Sequence, residues 1–124
     1  MAFIIDTAFD SGLSYLTTNG ARMDICYGSE PTTYAEATST KSCGNDVVTT
    51  GSPAAGTVDG RKVTVSAITA GNVTATQTAG WWALTDGSSI LLATGVLDST
   101  QSVTLGNTFS LDTTPIGFRD ATSV

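Results

Sequence analysis

The chain contains no histidine, and only two cysteines, Cys26 and Cys43, among its 124 residues. Without an imidazole, Ser-His-Asp and Cys-His nucleophilic systems are excluded, together with most zinc sites. Charge is scarce too. Charged residues are 13 % of the chain, about half of the usual ~25 %. The five basic residues, Arg22, Lys41, Arg61, Lys62 and Arg119, are scattered apart from one adjacent pair, and the net charge is −6. Nucleic-acid binding needs a clustered basic footprint, and so does binding to an anionic membrane surface, so neither is expected. No apolar run approaches ~20 residues, which argues against a helical membrane span. The opening Met-Ala-Phe-Ile-Ile-Asp lacks the basic and long apolar regions of a secretory signal, so synthesis in a cytoplasm is expected. Walker, dinucleotide-binding and EF-hand spacings are all missing.

What replaces charge is Thr, Ser, Gly and Ala, residue types that suit pleated, half-exposed strands. The length fits one domain over residues 1–124, with an N-terminal arm at 1–6 and a fraying tail at 119–124. Residues 80–95 are the most informative stretch. They read as a β-hairpin in which an aromatic strand, Trp81–Thr85, turns at Asp86-Gly87 into an aliphatic strand, Ser89–Thr94. Asp-Gly between apolar runs predicts a type I′ turn. Phe9, Leu13 and Leu16 form one stripe of a helix over residues 7–18, capped by Asp6 and stopped by a left-handed Asn19-Gly20. Strand periodicity marks Arg22–Tyr27, Arg61–Ile68, Asn72–Thr78, Thr100–Leu105 and Thr108–Leu111, with Val47–Thr50 as a short edge strand. Ser29–Asn45 reads as a long polar loop, and Ala70-Gly71, Asp59-Gly60 and Gly106-Asn107 as turns. The expected fold is all-β: an antiparallel β-sandwich or partly closed barrel of six to eight short strands with one short N-terminal helix.

No residue pattern points to catalysis, and no cofactor is expected. Asp59, Asp86 and Asp98 stand where turns need them. Glu30 and Glu36, six residues apart, make a glycosidase-like pair only if the fold happens to join them. Asp6, Asp10 and Asp112 match no calcium motif. Asn72-Val73-Thr74 matches a glycosylation acceptor by chance when no secretory signal precedes it. Cys26 and Cys43 read as reduced thiols, as a disulfide formed within the chain outside a cell, or as bridges to a neighbouring chain. Trp81 and Trp82 point to opposite faces of one strand, so at most one lies deep in the core. The other is left for helix packing, a protein interface or stacking on a sugar.

Several segments resemble a family of small virion structural proteins of tailed bacteriophages and prophages. They are Leu16–Cys26, Ser29–Thr38, Gly60–Val65 and Trp82–Thr94, with Glu30-Pro-Thr-Thr-Tyr-Ala-Glu-Ala37 the most specific. The resemblance implies a non-enzymatic particle component and carries over no functional residues. The leading expectation is a capsid decoration or cement protein that binds neighbouring capsid subunits and is itself a homo-oligomer in the virion. Its partners would be the major capsid protein or other virion proteins. A tail, neck or fibre component is the alternative within the virion. A carbohydrate-binding module for host attachment is the alternative of another class. The residues expected at the interface are Phe3, Ile4, Glu30, Pro31, Tyr34, Trp81 and Trp82.

Overall fold

In a computed structural model, residues 4–40, 42–57 and 59–119 are described, with the side chains of 39–46 left aside. Phe3, the tail at 120–124 and the side chain of Cys43 lie outside the described residues.

The order of elements is α1 (Asp6–Asn19), β1 (Arg22–Tyr27), a wide helical turn (Glu36–Thr40), β2 (Ser42–Val47), β3 (Ala54–Ala55), β4 (Arg61–Val65), β5 (Ile68–Val73), β6 (Gln77–Thr85), β7 (Leu91–Val103), β8 (Thr108–Leu111) and β9 (Thr114–Phe118). Every pairing is antiparallel. A six-stranded sheet runs β7-β6-β1-β2-β5-β8, and a three-stranded sheet runs β3-β4-β9. Val65 of β4 and Ile116 of β9 pack into the same core as Met23 and Ile25 of β1, Ile68 of β5, and Ala79 and Leu84 of β6. The fold is therefore all-β and sandwich-like, as the strand patterning predicted.

Helix α1 covers the smaller sheet. Phe9 and Leu13 are its buried stripe, and the Phe9 ring stacks on Phe118 of β9 with centroids 5.5 Å apart. Leu16 is only half-buried. The caps differ from expectation. Asp6 is the first helical residue rather than the cap, so it is not part of an arm, and Ile5 precedes it with no side-chain cap. Gly20 has φ −70°, not a left-handed value. Its lack of a side chain serves close approach, because a Cβ there would lie 2.7 Å from the Leu16 carbonyl and 2.8 Å from the Thr50 hydroxyl.

Several predicted boundaries move. The segment 29–45 is not one loop: it holds the helical turn and most of β2. β2 is an interior strand between β1 and β5, whereas Val47–Thr50 was expected at an edge. Ala70-Gly71 is no turn but continuous strand within β5, and β6 begins at Gln77. Gly71 is required there because the Phe109 ring lies across it, 2.4 Å from where a Cβ would sit. The strand expected from Thr100 is a continuation of β7, which runs 13 residues beside β6. Asp98 lies in a bulge rather than a turn: Ala79 pairs with Gln101 and Trp81 with Val96, so Leu97–Thr100 face Gly80 alone.

Connection lengths curl the larger sheet. β7 and β8 stand five places apart, about 24 Å if the sheet were flat. Only residues 104–107 join them, a reach of at most ~19 Å. The two edges must swing toward each other. Backbone bonds tie the connecting turn to the end of β5, with Val73 N–H donating to Asn107 O at 3.0 Å and Gly106 N–H to Val73 O at 3.3 Å. β7 and β8 do not pair with one another.

Candidate binding surfaces

The β6–β7 hairpin answers the question posed by the tandem indoles. Trp82 faces the main core, where its ring lies flat over its cross-strand partner Gly95, 2.4 Å from where a Cβ would be. Trp81 points to the opposite face and packs with Cys26, Ala37, Ala83 and Leu91. Its Nε1–H donates to the Gly28 carbonyl at 2.9 Å. The cover on Trp81 is thus the Gly28–Thr40 segment, not helix α1.

That segment is ordered by its own polar side chains. The Thr33 hydroxyl accepts from Glu36 N–H at 3.1 Å, while the Glu36 carboxylate accepts from Thr32 N–H at 3.2 Å. This is close to a capping box, and Thr33-x-x-Glu36 was its sequence signal. Thr38 Oγ1 donates to Tyr34 O at 2.8 Å, and Ala37 N–H to Thr33 O at 3.1 Å. Pro31 and Ala37 are buried. Glu30 remains exposed and accepts from the Thr94 hydroxyl of β7. A shallow cavity of about 390 Å³ lies between Glu30–Thr32 and Leu91–Thr94.

The residues expected at an interface therefore divide. Glu30 and buried Pro31 border β7 at Leu91–Thr94, Trp81 packs under Ala37 of the same covering segment, and Tyr34 is half-buried within that segment. Trp82 belongs to the inner face. Ile4 lies just before α1, 45 % exposed. Sequence reasoning missed Val96, which pairs directly with Trp81 and is 66 % exposed. Its place in an aliphatic strand gave no sign that it would face solvent.

Covering this face buries polar groups that the alternation of β1 placed outside. Cys26 is fully buried, and its Sγ–H points to Ala37 O at 3.7 Å. Asp24 is fully buried as well. Arg22 Nε donates to its Oδ1 at 3.2 Å, and its Oδ2 has no donor. Burial pushes its pKa from 3.8 up to about 6 against the opposing pull of Arg22.

The hairpin turn is not type I′. Only Gly87 has positive φ (80°), and no other residue type does among those described. Instead Asp86 Oδ1 accepts from the N–H groups of Ser88, Ser89 and Ile90 at 2.8–2.9 Å. These bonds hold its carboxyl down at about 2.

Two further places gather side chains. The fold brings Arg61, Lys62 and Arg119, distant in sequence, around a cavity of about 220 Å³ at the smaller sheet. Asp10 and Asp59 pair with the two arginines at 2.8 and 2.7 Å, so the cluster is largely neutralised. A larger cleft, about 460 Å³, opens between β7 and β8. Its floor includes Ile25, Val73, Ala79 and Phe109, and its lips carry Asp98–Ser99, Gln101–Ser102 and Ser110. Among the described residues, no three His, Cys, Asp or Glu side chains gather to hold a metal ion, and no helix is long and apolar enough to cross a membrane. Glu30 and Glu36 are each committed to separate hydrogen bonds, with Thr94 and Thr32. Comparison with family models, with curated proteins and with solved structures gives no match.

Proposed function

We propose that this chain is a non-enzymatic structural protein of a bacteriophage virion, a capsid decoration protein that binds the major capsid protein through the outer face of the β6–β7 hairpin. The observation that carries this reading is the exposed Val96 beside half-buried Trp81, rimmed by the self-capped Glu30–Thr38 segment. An exposed apolar side chain beside a half-buried aromatic, with a polar rim, fits the anatomy of a protein-docking patch. The segment is held by internal hydrogen bonds before any partner arrives, which lowers the ordering cost of association. The most specific part of the resemblance, residues 30–37, falls on this rim.

The test is occupancy on shells assembled from the major capsid protein, followed by electron microscopy. Val96→Asp and Tyr34→Ala are expected to lower occupancy by about tenfold or more, as removal of a central anchor does. Leu105→Asp, on the exposed turn before β8, is expected to leave it unchanged. Equal occupancy for all variants would refute the assignment of this face, and no occupancy by the native chain would refute the function.

A further inference from the structure

We infer that the cleft between β7 and β8 is a slot for one added β-strand, filled by the N-terminal arm Ala2–Ile5 of a second copy of this chain. This goes beyond the decoration reading and does not depend on it.

The slot is defined by both of its walls. β7 and β8 are the two edges of the six-stranded sheet, and neither pairs with the other. Sheet edges present unpaired N–H and C=O groups, a template for another strand. Between them the core is open. The apolar side chains of Ile25, Val73, Ala79 and Phe109 reach the floor of a cleft of about 460 Å³. One inserted strand would pair with either lip and cover this floor.

The arm has the matching chemistry. Ala-Phe-Ile-Ile is apolar and, with its aromatic and β-branched residues, favours strand. Ile5 already has extended backbone, φ −65° and ψ 140°. Ile4 and Ile5 are 45 % and 58 % exposed, so their own chain leaves them largely unburied. Alternation would send Phe3 and Ile5 to one side, matching an apolar floor on one face only.

The arm's starting point favours a second copy over its own chain. α1 follows Ile5 without a linker and packs on the other sheet, where Asp10 pairs with Arg61 of β4 and Phe9 stacks on Phe118 of β9. No residue lining the cleft belongs to α1, β3, β4 or β9. With one arm and one slot per chain, exchange builds a reciprocal dimer or a ring.

The experiment compares the full chain with Phe3→Asp and with a variant lacking Ala2–Ile5. Sedimentation velocity reads assembly, and amide hydrogen exchange reads Asp98–Val103 and Thr108–Leu111. The full chain is expected to sediment as an oligomer with these amides protected. Both variants are expected to sediment as monomers of unchanged circular dichroism, with exchange there faster by about tenfold or more. A monomeric full chain overturns the inference, and one whose amides are nevertheless protected by the arm assigns the slot to the chain's own arm. Persistence of the oligomer in Phe3→Asp and in the deletion also overturns it. None of these outcomes touches capsid occupancy, so failure here and failure of the decoration reading are read separately.

Discussion

Asp24 makes the stability of this fold depend on pH in the direction opposite to most carboxylates. Its side chain is fully buried on β1, with Arg22 donating to one oxygen and nothing donating to the other. Desolvation favours the neutral acid, so the folded chain keeps a proton that the unfolded chain releases. Stability from this group is fully present below the unfolded value of 3.8 and is lost as pH rises through about 6. The gap between 3.8 and about 6 corresponds to ~3 kcal/mol. Asp24→Asn preserves shape and an acceptor for Arg22 but cannot ionise. Urea denaturation of both proteins, followed by tryptophan fluorescence, cancels every other titrating group when the two curves are subtracted. The advantage of the Asn variant is expected to grow by ~2 kcal/mol between about pH 4 and about pH 8. A difference that stays constant across this window, or shrinks with pH, would show that the carboxyl is solvated or partnered in solution and would refute the argument.

Three other outcomes follow from single contacts. Gly95→Ala places a Cβ where the Trp82 indole lies, 2.4 Å away, and is expected to cost about 1–3 kcal/mol in denaturation. In the Trp82→Ala background the same change should cost much less, and equal costs in both backgrounds would remove the steric explanation. Asp86→Ala withdraws the acceptor from three backbone N–H groups of the hairpin turn. Because the Asp86 carboxyl is held down at about 2, its contribution is present above 3.8 and lost as pH falls toward 2. The variant should therefore be less stable at neutral pH and flatter on the acid side, and an unchanged acid limb in urea titrations would contradict this. In a Cys43→Ser background, the fully buried Cys26 thiol should react with an aromatic disulfide reagent only after denaturant is added. Prompt reaction in the native state would mean that the Gly28–Thr40 cover opens readily.

The helix and strands β1, β4 and β8 were legible because each follows a local period, and β6 with the start of β7 because Asp86-Gly87 stands between two apolar runs. What failed was set by partners distant in sequence. β2, Ser-Cys-Gly-Asn-Asp-Val, has no apolar alternation and is a strand only because β1 and β5 flank it. Ala70-Gly71 resembles a turn, but its glycine is there for the Phe109 ring of the neighbouring strand. Asp24 and Cys26 alternate as solvent-facing residues, and they are buried because residues 28–40 fold back over them. Thr33-x-x-Glu36 has the spacing that signals this helical turn, but the reading of all of Ser29–Asn45 as loop passes it over. The proposed docking face was half legible: Trp81 stands out because it and Trp82 cannot share one core layer, and Tyr34 because it lies in the long polar segment, whereas Val96 needed the β6–β7 register.

The same long-range pairings explain why the larger sheet has a seam at all. A glycine inside a strand weakens it unless something packs on the bare backbone. Here Gly95 of β7 and Gly71 of β5 each lie under the aromatic ring of a directly paired residue, Trp82 and Phe109. Both rings lean over the outermost strand pairs of the six-stranded sheet, and both belong to the main core. The two glycine backbones near the edges are thus covered from within, while Ile25, Val73, Ala79 and Phe109 still line the open cleft between β7 and β8. The short connection at residues 104–107 brings the edges into proximity, and the bulge at Leu97–Thr100 turns β7 away from regular pairing over the same stretch that lines the cleft.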